Sequence, residues 1–418
     1  MPSQGRVILG LKANWEQFAL LVAVNAFVGG MVGLERSILP LLAKDEFGIT
    51  SKVATVSFIS TFGLAKALTN LFSGHLAGRF SRKSLLVAGW LFGLPVPLML
   101  IWAPSWGWIV AANLLLGVNQ GLAWSMTVNM KMDLVGPAQR GLALGFNEAA
   151  GYMSVAGAAY LTGVIAQHYG LRPEPFYLGI AFSAAGLALS SIFVRDTSRH
   201  LAVEATYHAV QQPAPLRRTF AEVSWRRPQL WGVSQTGFVN NLNDGLIWGI
   251  FPLFFASRGL ALERIALLAA VYPLMWGSMQ LVTGWLSDYI GRKPLIVGGM
   301  VLQGLAIWLA TVGSSFDAWL PAVILIGVGT AMVYPTLLAA IGDAVHPTQR
   351  SAALGVYRFW RDGGAIAGAL LGGVLADALG FSTAIRVVAV LTVLSGLVAG
   401  RALGVRLPSD TQVREVNP

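Results

Sequence analysis

Apolar residues in this chain gather into long runs separated by polar breaks, and that rhythm predicts membrane-spanning helices. A helix needs about 20 apolar residues to cross a hydrocarbon core. Twelve runs meet that length, at 17–43, 50–77, 84–103, 107–132, 141–168, 175–195, 229–257, 262–288, 293–313, 318–343, 351–378 and 383–404. Most breaks are short. The exception runs from Arg195 to Pro228 and holds Arg199, Pro213, Pro215, Arg217, Arg218, Arg226 and Arg227. It is polar, proline-bearing and basic, which suits a linker between domains. The pattern predicts an all-α membrane protein with a six-helix bundle over 1–195, a linker over 196–228 and a second six-helix bundle over 229–418.

Composition removes the soluble alternatives. Only 11% of the residues are charged and 55% are apolar, with a mean hydropathy of +0.64. Soluble domains carry about 25% charge. The net charge of +10 would fit a nucleic-acid partner if the basic residues shared one face. They are scattered among apolar runs instead, so no nucleic-acid partner is expected. With the N-terminus taken as cytoplasmic, 19 of the 29 Lys and Arg residues fall on that side, Lys131 and the linker arginines among them. Six fall on the other side, and Arg36, Lys66, Arg358 and Arg361 lie inside spans. This is a positive-inside bias. Both termini and the linker are therefore expected in the cytoplasm, with the chain in a bacterial inner membrane. The chain has no cysteine, which excludes disulfides and thiolate sites. Its five histidines, at 75, 168, 200, 208 and 346, show no metal-ligand spacing. No metal or cofactor is expected. The first apolar run lacks a cleavage site and is expected to be retained.

The two halves repeat. Gly74-His-Leu-Ala-Gly-Arg-Phe-Ser-Arg-Lys83 aligns with Gly284-Trp-Leu-Ser-Asp-Tyr-Ile-Gly-Arg-Lys293 at a spacing of 210. Asp133-Leu-Val-Gly-Pro-Ala-Gln-Arg140 aligns with Asp343-Ala-Val-His-Pro-Thr-Gln-Arg350 at the same spacing. Parallel repeats of six helices predict two bundles related by an axis along the membrane normal.

The stretch Gly284 to Lys293 resembles the signature that the major facilitator superfamily carries between helices 2 and 3 or 8 and 9. The span count, the repeat and the central linker extend the resemblance over nearly the whole chain. It implies a secondary transporter with one central substrate chamber and leaves the substrate open. It also implies a cytoplasmic gate built from Gly74, Arg82, Lys83, Asp133, Arg140, Asp288, Arg292, Lys293, Asp343 and Arg350. The first copy departs from the signature, with Gly78 in place of the acid. The gate is therefore expected to be asymmetric, held mainly by Asp288 reaching the positive N-terminus of helix 5. Asp133 with Arg82, and Asp343 with Arg292, are expected to staple each bundle, or else to remain solvated.

Charges inside a span cost roughly 2.5–3.5 kcal/mol each and mark functional candidates. Glu35, Glu148, Asp244 and Asp362 are the expected proton-coupling acids, in that order. Asn25, Arg36, Lys66, Asn147, Tyr152, Asn241, Trp276, Tyr334, Arg358 and Arg361 are expected to line the substrate chamber. Arg358, Arg361 and Asp362 share one helix face, so Arg358 and Asp362 could pair locally. Depth offers Asp362 another partner. Lys66 lies eight residues before Gly74, and Arg358 eight after Arg350, so both sit about 12 Å inside the same face at 1.5 Å per residue. The resemblance sets helices 2 and 11 opposite each other, which predicts a Lys66–Asp362 pair. Glu148 and Arg358 are repeat partners, an acid in one half and a base in the other.

No catalytic triad, nucleotide fold or metal motif is present, so no enzymatic activity is expected. The leading expectation is proton-coupled efflux of a drug or metabolite by alternating access, by a monomer in the lipid bilayer. Uptake of an organic anion or other nutrient, by symport or uniport, stands beside it, and a lipid flippase behind both.

Overall fold

The computed structural model describes residues 7–36, 38–49, 57–206, 215–260 and 262–404. These residues are helical throughout apart from turns. Twelve rods carry the fold. The first half holds α1 (Trp15–Arg36), α2 (Ser57–Leu76), α3 (Arg82–Gly93, carried on by Pro95–Ile101), α4 (Trp106–Val135), α5 (Arg140–Tyr169) and α6 (Glu174–Ile192). The second holds α7 (Pro228–Gly249, carried on by Phe251–Ser257), α8 (Leu262–Ile290), α9 (Arg292–Ala310), α10 (Phe316–Ala344), α11 (Pro347–Leu379) and α12 (Phe381–Ala402). A linker helix, Ser198–Thr206, and a short helical stretch over 216–226 join the halves.

Nine of the described helices are by themselves long and apolar enough to cross a bilayer. α2, α7 and α8 are not among them. α2 carries Lys66 and Asn70, and α7 carries Asn240, Asn241, Asn243 and Asp244. Polar content of that kind is tolerated in a span only where it faces protein or water. The lipid-facing surface is apolar, with Leu64, Phe72, Tyr160, Leu305, Leu370 and Leu394 all exposed.

The repeat is visible in backbone detail. α5 and α11 each end on a glycine in the left-handed region, Gly170 with φ 102° and Gly380 with φ 81°. They stand 210 positions apart, and only glycine takes that conformation freely.

The halves meet along two seams, α2 against α11 and α5 against α8. Glycines permit the approach at the end that bears the linker, called the linker face below. A methyl group on Gly74 would lie 3.0 Å from the Gly355 Cα, and one on Gly284 would lie 2.9 Å from the Gly145 Cα. The linker face is closed in this conformation.

One residue is displaced from its expected place. Lys131, counted among the cytoplasmic charges, is wholly buried in the N-terminal half. The cause is that α4 runs on to Val135, a turn beyond its apolar run, so Lys131 points into the bundle. The charge bias stands without it.

Candidate functional site

Two charged layers join the halves. The first lies on the linker face and contains four acids and four arginines. Within the first half, Arg82 reaches Asp133 with Nε at 2.5 Å and Nη2 at 3.3 Å. Within the second, Arg292 reaches Asp343 with Nε at 3.0 Å. Two further arginines cross over. Arg350 of α11 donates to Asp133 at 2.8 Å, and Arg140 of α5 donates to Asp343 at 3.0 Å. The four contacts obey the repeat. Asp288 accepts from the amides of Gly141 at 3.1 Å and Leu142 at 3.0 Å, at the start of α5, and from Arg292 at 2.6 Å. These amides have no partner within their own helix, so the carboxylate meets both hydrogen-bonding demand and the helix dipole.

Sequence reasoning missed the central member of this layer. Glu204 of the linker helix is wholly buried and accepts from both crossing arginines, Arg140 and Arg350. The first signature copy carries Gly78 in place of an acid, and Glu204 brings an acid to this face from the linker, bonded to arginines rather than to helix amides. The only available signal was that missing charge. Burial acts to raise the Glu204 pKa, but Arg350 and then Arg140 outweigh it and hold the carboxyl below its usual range. A depressed folded-state pKa means that its stabilising contribution is complete above the ordinary glutamate value of about 4.3 and fades only below it. Glu204 is therefore charged near neutral pH. Two gate candidates stand outside the ion pairs among the described residues: Lys83, whose backbone amide donates to Asp196 at 3.1 Å, and Lys293.

Asp288→Asn keeps the shape and weakens both amide bonds. It is expected to shift the protein toward an open linker face, with slower cross-linking of paired cysteines placed across that face. The absence of native cysteine makes this measurement clean. Unchanged cross-linking would count against the latch.

The second layer lies at mid-depth. Lys66 of α2 stands 3.7 Å from Asp362 of α11. Arg358 stands 4.0 Å from Glu148 of α5. Both pairs cross between halves. Arg361 stands 3.7 Å from Asp244 of α7 and 3.5 Å from Asp362. Hydrogen bonds knit the layer together. Asn70 donates to Asp362 at 2.6 Å, Ser125 to Asn70 at 2.6 Å, and Arg358 to Ser125 at 2.8 Å. Trp124 donates to Glu148 at 3.0 Å, and Tyr272 donates to Asp244. Lys131 donates to Asn147 at 2.6 Å, and Asn147 donates to Glu148 at 2.7 Å. Asn70, Ser125 and Lys131 were not among the expected site residues. Asn70 had a signal, because its repeat partner is the polar Gln280.

Aromatic rings close the layer. Tyr152 of α5 stacks on Trp276 of α8 at 3.7 Å, across the halves, and Tyr334 of α10 stands edge-on to both. The Arg361 guanidinium lies 3.9 Å from the centre of the Tyr334 ring.

Three expected residues fall elsewhere. Asn25 donates to the Asn147 carbonyl at 2.6 Å, within its own half. Asn241 donates to the Arg361 carbonyl at 2.8 Å, tying α7 to α11. Glu35, placed first among the proton-coupling acids, lies apart from the layer. It is buried near the far end of α1, in a small pocket with Val32, Phe58, Ile59, Phe62, Asn113 and Leu116. The side chain of Arg36 lies outside the described residues.

Two pseudo-symmetric six-helix bundles that close on buried charged seams define a membrane transporter. Residues 18–235 and 233–418 both match the Major Facilitator Superfamily model, and the chain belongs to that family. The multidrug resistance protein MdtG of Enterobacter lignolyticus is 23% identical over 416 residues, covering 93% of each chain. The methyl viologen resistance protein SmvA of Salmonella typhimurium is 35% identical over 128 residues, which is 30% of this chain and 26% of that protein. The quinolone resistance protein NorA of Staphylococcus aureus is 26% identical over 140 residues, 34% of this chain and 36% of that one. Among solved structures, the human organic anion transporter MFSD10 superposes with a TM-score of 0.75 at 15% identity, covering 92% of this chain and 99% of that one. The proton:xylose symporter XylE gives 0.75 at 14%, covering 93% and 96%. At these identities the two structures speak to the fold alone.

Proposed function

We propose that this protein is a proton-coupled secondary transporter of a bacterial inner membrane. It exports a small organic molecule by alternating access, with its termini and linker face in the cytoplasm. One observation carries the reading: the pairs Glu148–Arg358 and Lys66–Asp362 cross between the halves at mid-depth. Rocking the halves apart separates each carboxylate from its base. A buried carboxylate without a neighbouring cation gains proton affinity, so access and protonation become linked. The drug-resistance names of the relatives support export.

A second reading, uptake of an organic anion together with a proton, is favoured by the arginines on the α11 face. The direction of coupling separates the two. In proteoliposomes screened across drugs, sugars and organic acids, export coupling gives currents that reverse when the pH gradient is reversed, with substrate moving opposite to protons. Glu148→Gln is expected to reduce gradient-driven transport by about tenfold or more, a loss of at least about 1.4 kcal/mol of coupling, while substrate exchange without a gradient persists. Gradient-driven transport that survived this substitution intact would discard Glu148 as a coupling site.

A further inference from the structure

At mid-depth three acids, Glu148, Asp244 and Asp362, face three bases, Lys66, Arg358 and Arg361. The three pairs are loose, and Lys131 is a fourth base set behind Asn147. Arg361 and Asp244 stand 3.7 Å apart, beyond the 2.7–2.9 Å of a charge-assisted hydrogen bond. Both side chains are more than nine-tenths buried. The Nε of Arg361 and the indole Nε1 of Trp276 are buried and donate no hydrogen bond. Both groups are donors only, so what they lack is an acceptor. Trp276, Tyr334 and Tyr272 surround this spot, with Trp276 and Tyr272 ring centres 5.8 Å apart.

We propose that the Asp244–Arg361 pair is the substrate-binding element, and that it opens around a zwitterion built on an aromatic ring. The substrate carboxylate takes Arg361 and the Trp276 indole. Its ammonium takes Asp244, which Tyr272 steadies. Its ring replaces one face of the Tyr152–Trp276 stack.

Charge balance decides between this ligand and its simpler relatives. A cation on Asp244 would leave Arg361, which cannot lose its proton, with only Asp362, an acid that Lys66 already shares. An anion on Arg361 would strand Asp244 until it took up a proton, so anion and proton would travel together. A zwitterion leaves neither partner unpaired. It also competes with a proton for Asp244, and that competition is what exchange transport needs. The inference rests on the proton-coupled export reading and names the substrate class of that site.

The test uses the purified full chain and three probes of one size: para-(aminomethyl)benzoate, para-methylbenzoate and para-methylbenzylamine. Binding is read by calorimetry and by quenching of tryptophan fluorescence. The zwitterion is expected to bind about tenfold or more tightly than either singly charged probe. Its binding releases protons at a pH low enough to protonate Asp244. Arg361→Gln is expected to bring the zwitterion down to the level of the amine, and Asp244→Asn down to the level of the benzoate, with unliganded melting temperatures verifying both folds. Equal or tighter binding of para-methylbenzoate with proton uptake overturns the proposal, as does a lack of preference or of any binding. Failure of the underlying reading is distinguishable. If the zwitterion wins but no pH gradient drives its movement in liposomes, proton coupling fails while the binding site stands.

Discussion

Asp133→Asn is expected to destabilise the closed protein by about 3–5 kcal/mol, the usual cost of removing one partner from a buried ion pair. Asp133 is wholly buried and faces Arg82 and Arg350, with the Thr197 hydroxyl donating to it at 2.8 Å. Asparagine keeps the shape but takes the carboxylate from buried Arg82 and leaves Arg350 with Glu204, which Arg140 also uses. These arginines cannot neutralise themselves by losing a proton. The expected readouts are a lowered melting temperature in detergent and slower cross-linking of cysteines placed across the linker face. The repeat supplies an internal control. Asp343 holds the equivalent position but is 39% exposed, so water solvates whatever charge is left, and Asp343→Asn is expected to cost under about 1 kcal/mol. Combining Asp133→Asn with Arg350→Gln removes both ends of one pair and is expected to cost less than the sum of the two singly. Equal costs at Asp133 and Asp343 would show that burial does not govern this layer.

The asymmetry between these two aspartates marks the boundary of what the sequence reveals. Hydropathy locates the rods because lipid requires long apolar runs. The repeat of Asp-(six residues)-Arg at 133 and 343 reveals which charges are equivalent. Neither signal reports burial, and the decisive residue for burial, Glu204, lies in a polar linker where an acid draws no notice. Depth counting brings Lys66 and Asp362 together because both are measured from the same face. The same counting misplaces Lys131, since an apolar run ends before its helix does. Glu35 stands out by hydropathy as strongly as Glu148. Only the packing of α5 against α8, with Arg358 reaching across from α11, puts Glu148 in the central layer and leaves Glu35 in a side pocket.

Gly368→Ala is expected to cost several kcal/mol, and Gly368→Leu to prevent folding, because α11 lies directly on α7 here. A methyl group on Gly368 would stand 2.7 Å from the Leu242 carbonyl carbon and 2.8 Å from its Cα. On Gly364 it would stand 2.9 Å from the Phe238 carbonyl carbon. These neighbours are backbone, so no rotamer change relieves the overlap and the helices must part. Close approach is what small residues provide between membrane helices, where hydrophobic burial offers little. A penalty of about 4–5 kcal/mol ranks among the largest single substitutions produce and approaches the total stability of many domains. Gly373 is the control. It lies in the same helix, and a methyl group added there would meet nothing within 4 Å, so Gly373→Ala should gain up to about 1 kcal/mol from helix propensity. The contact also bears on function, since α7 carries Asp244 and α11 carries Arg361. Any Gly368→Ala protein that does fold is expected to hold this pair farther apart and to bind the zwitterionic probe more weakly, a joint loss of melting temperature and affinity that Gly373→Ala should not show.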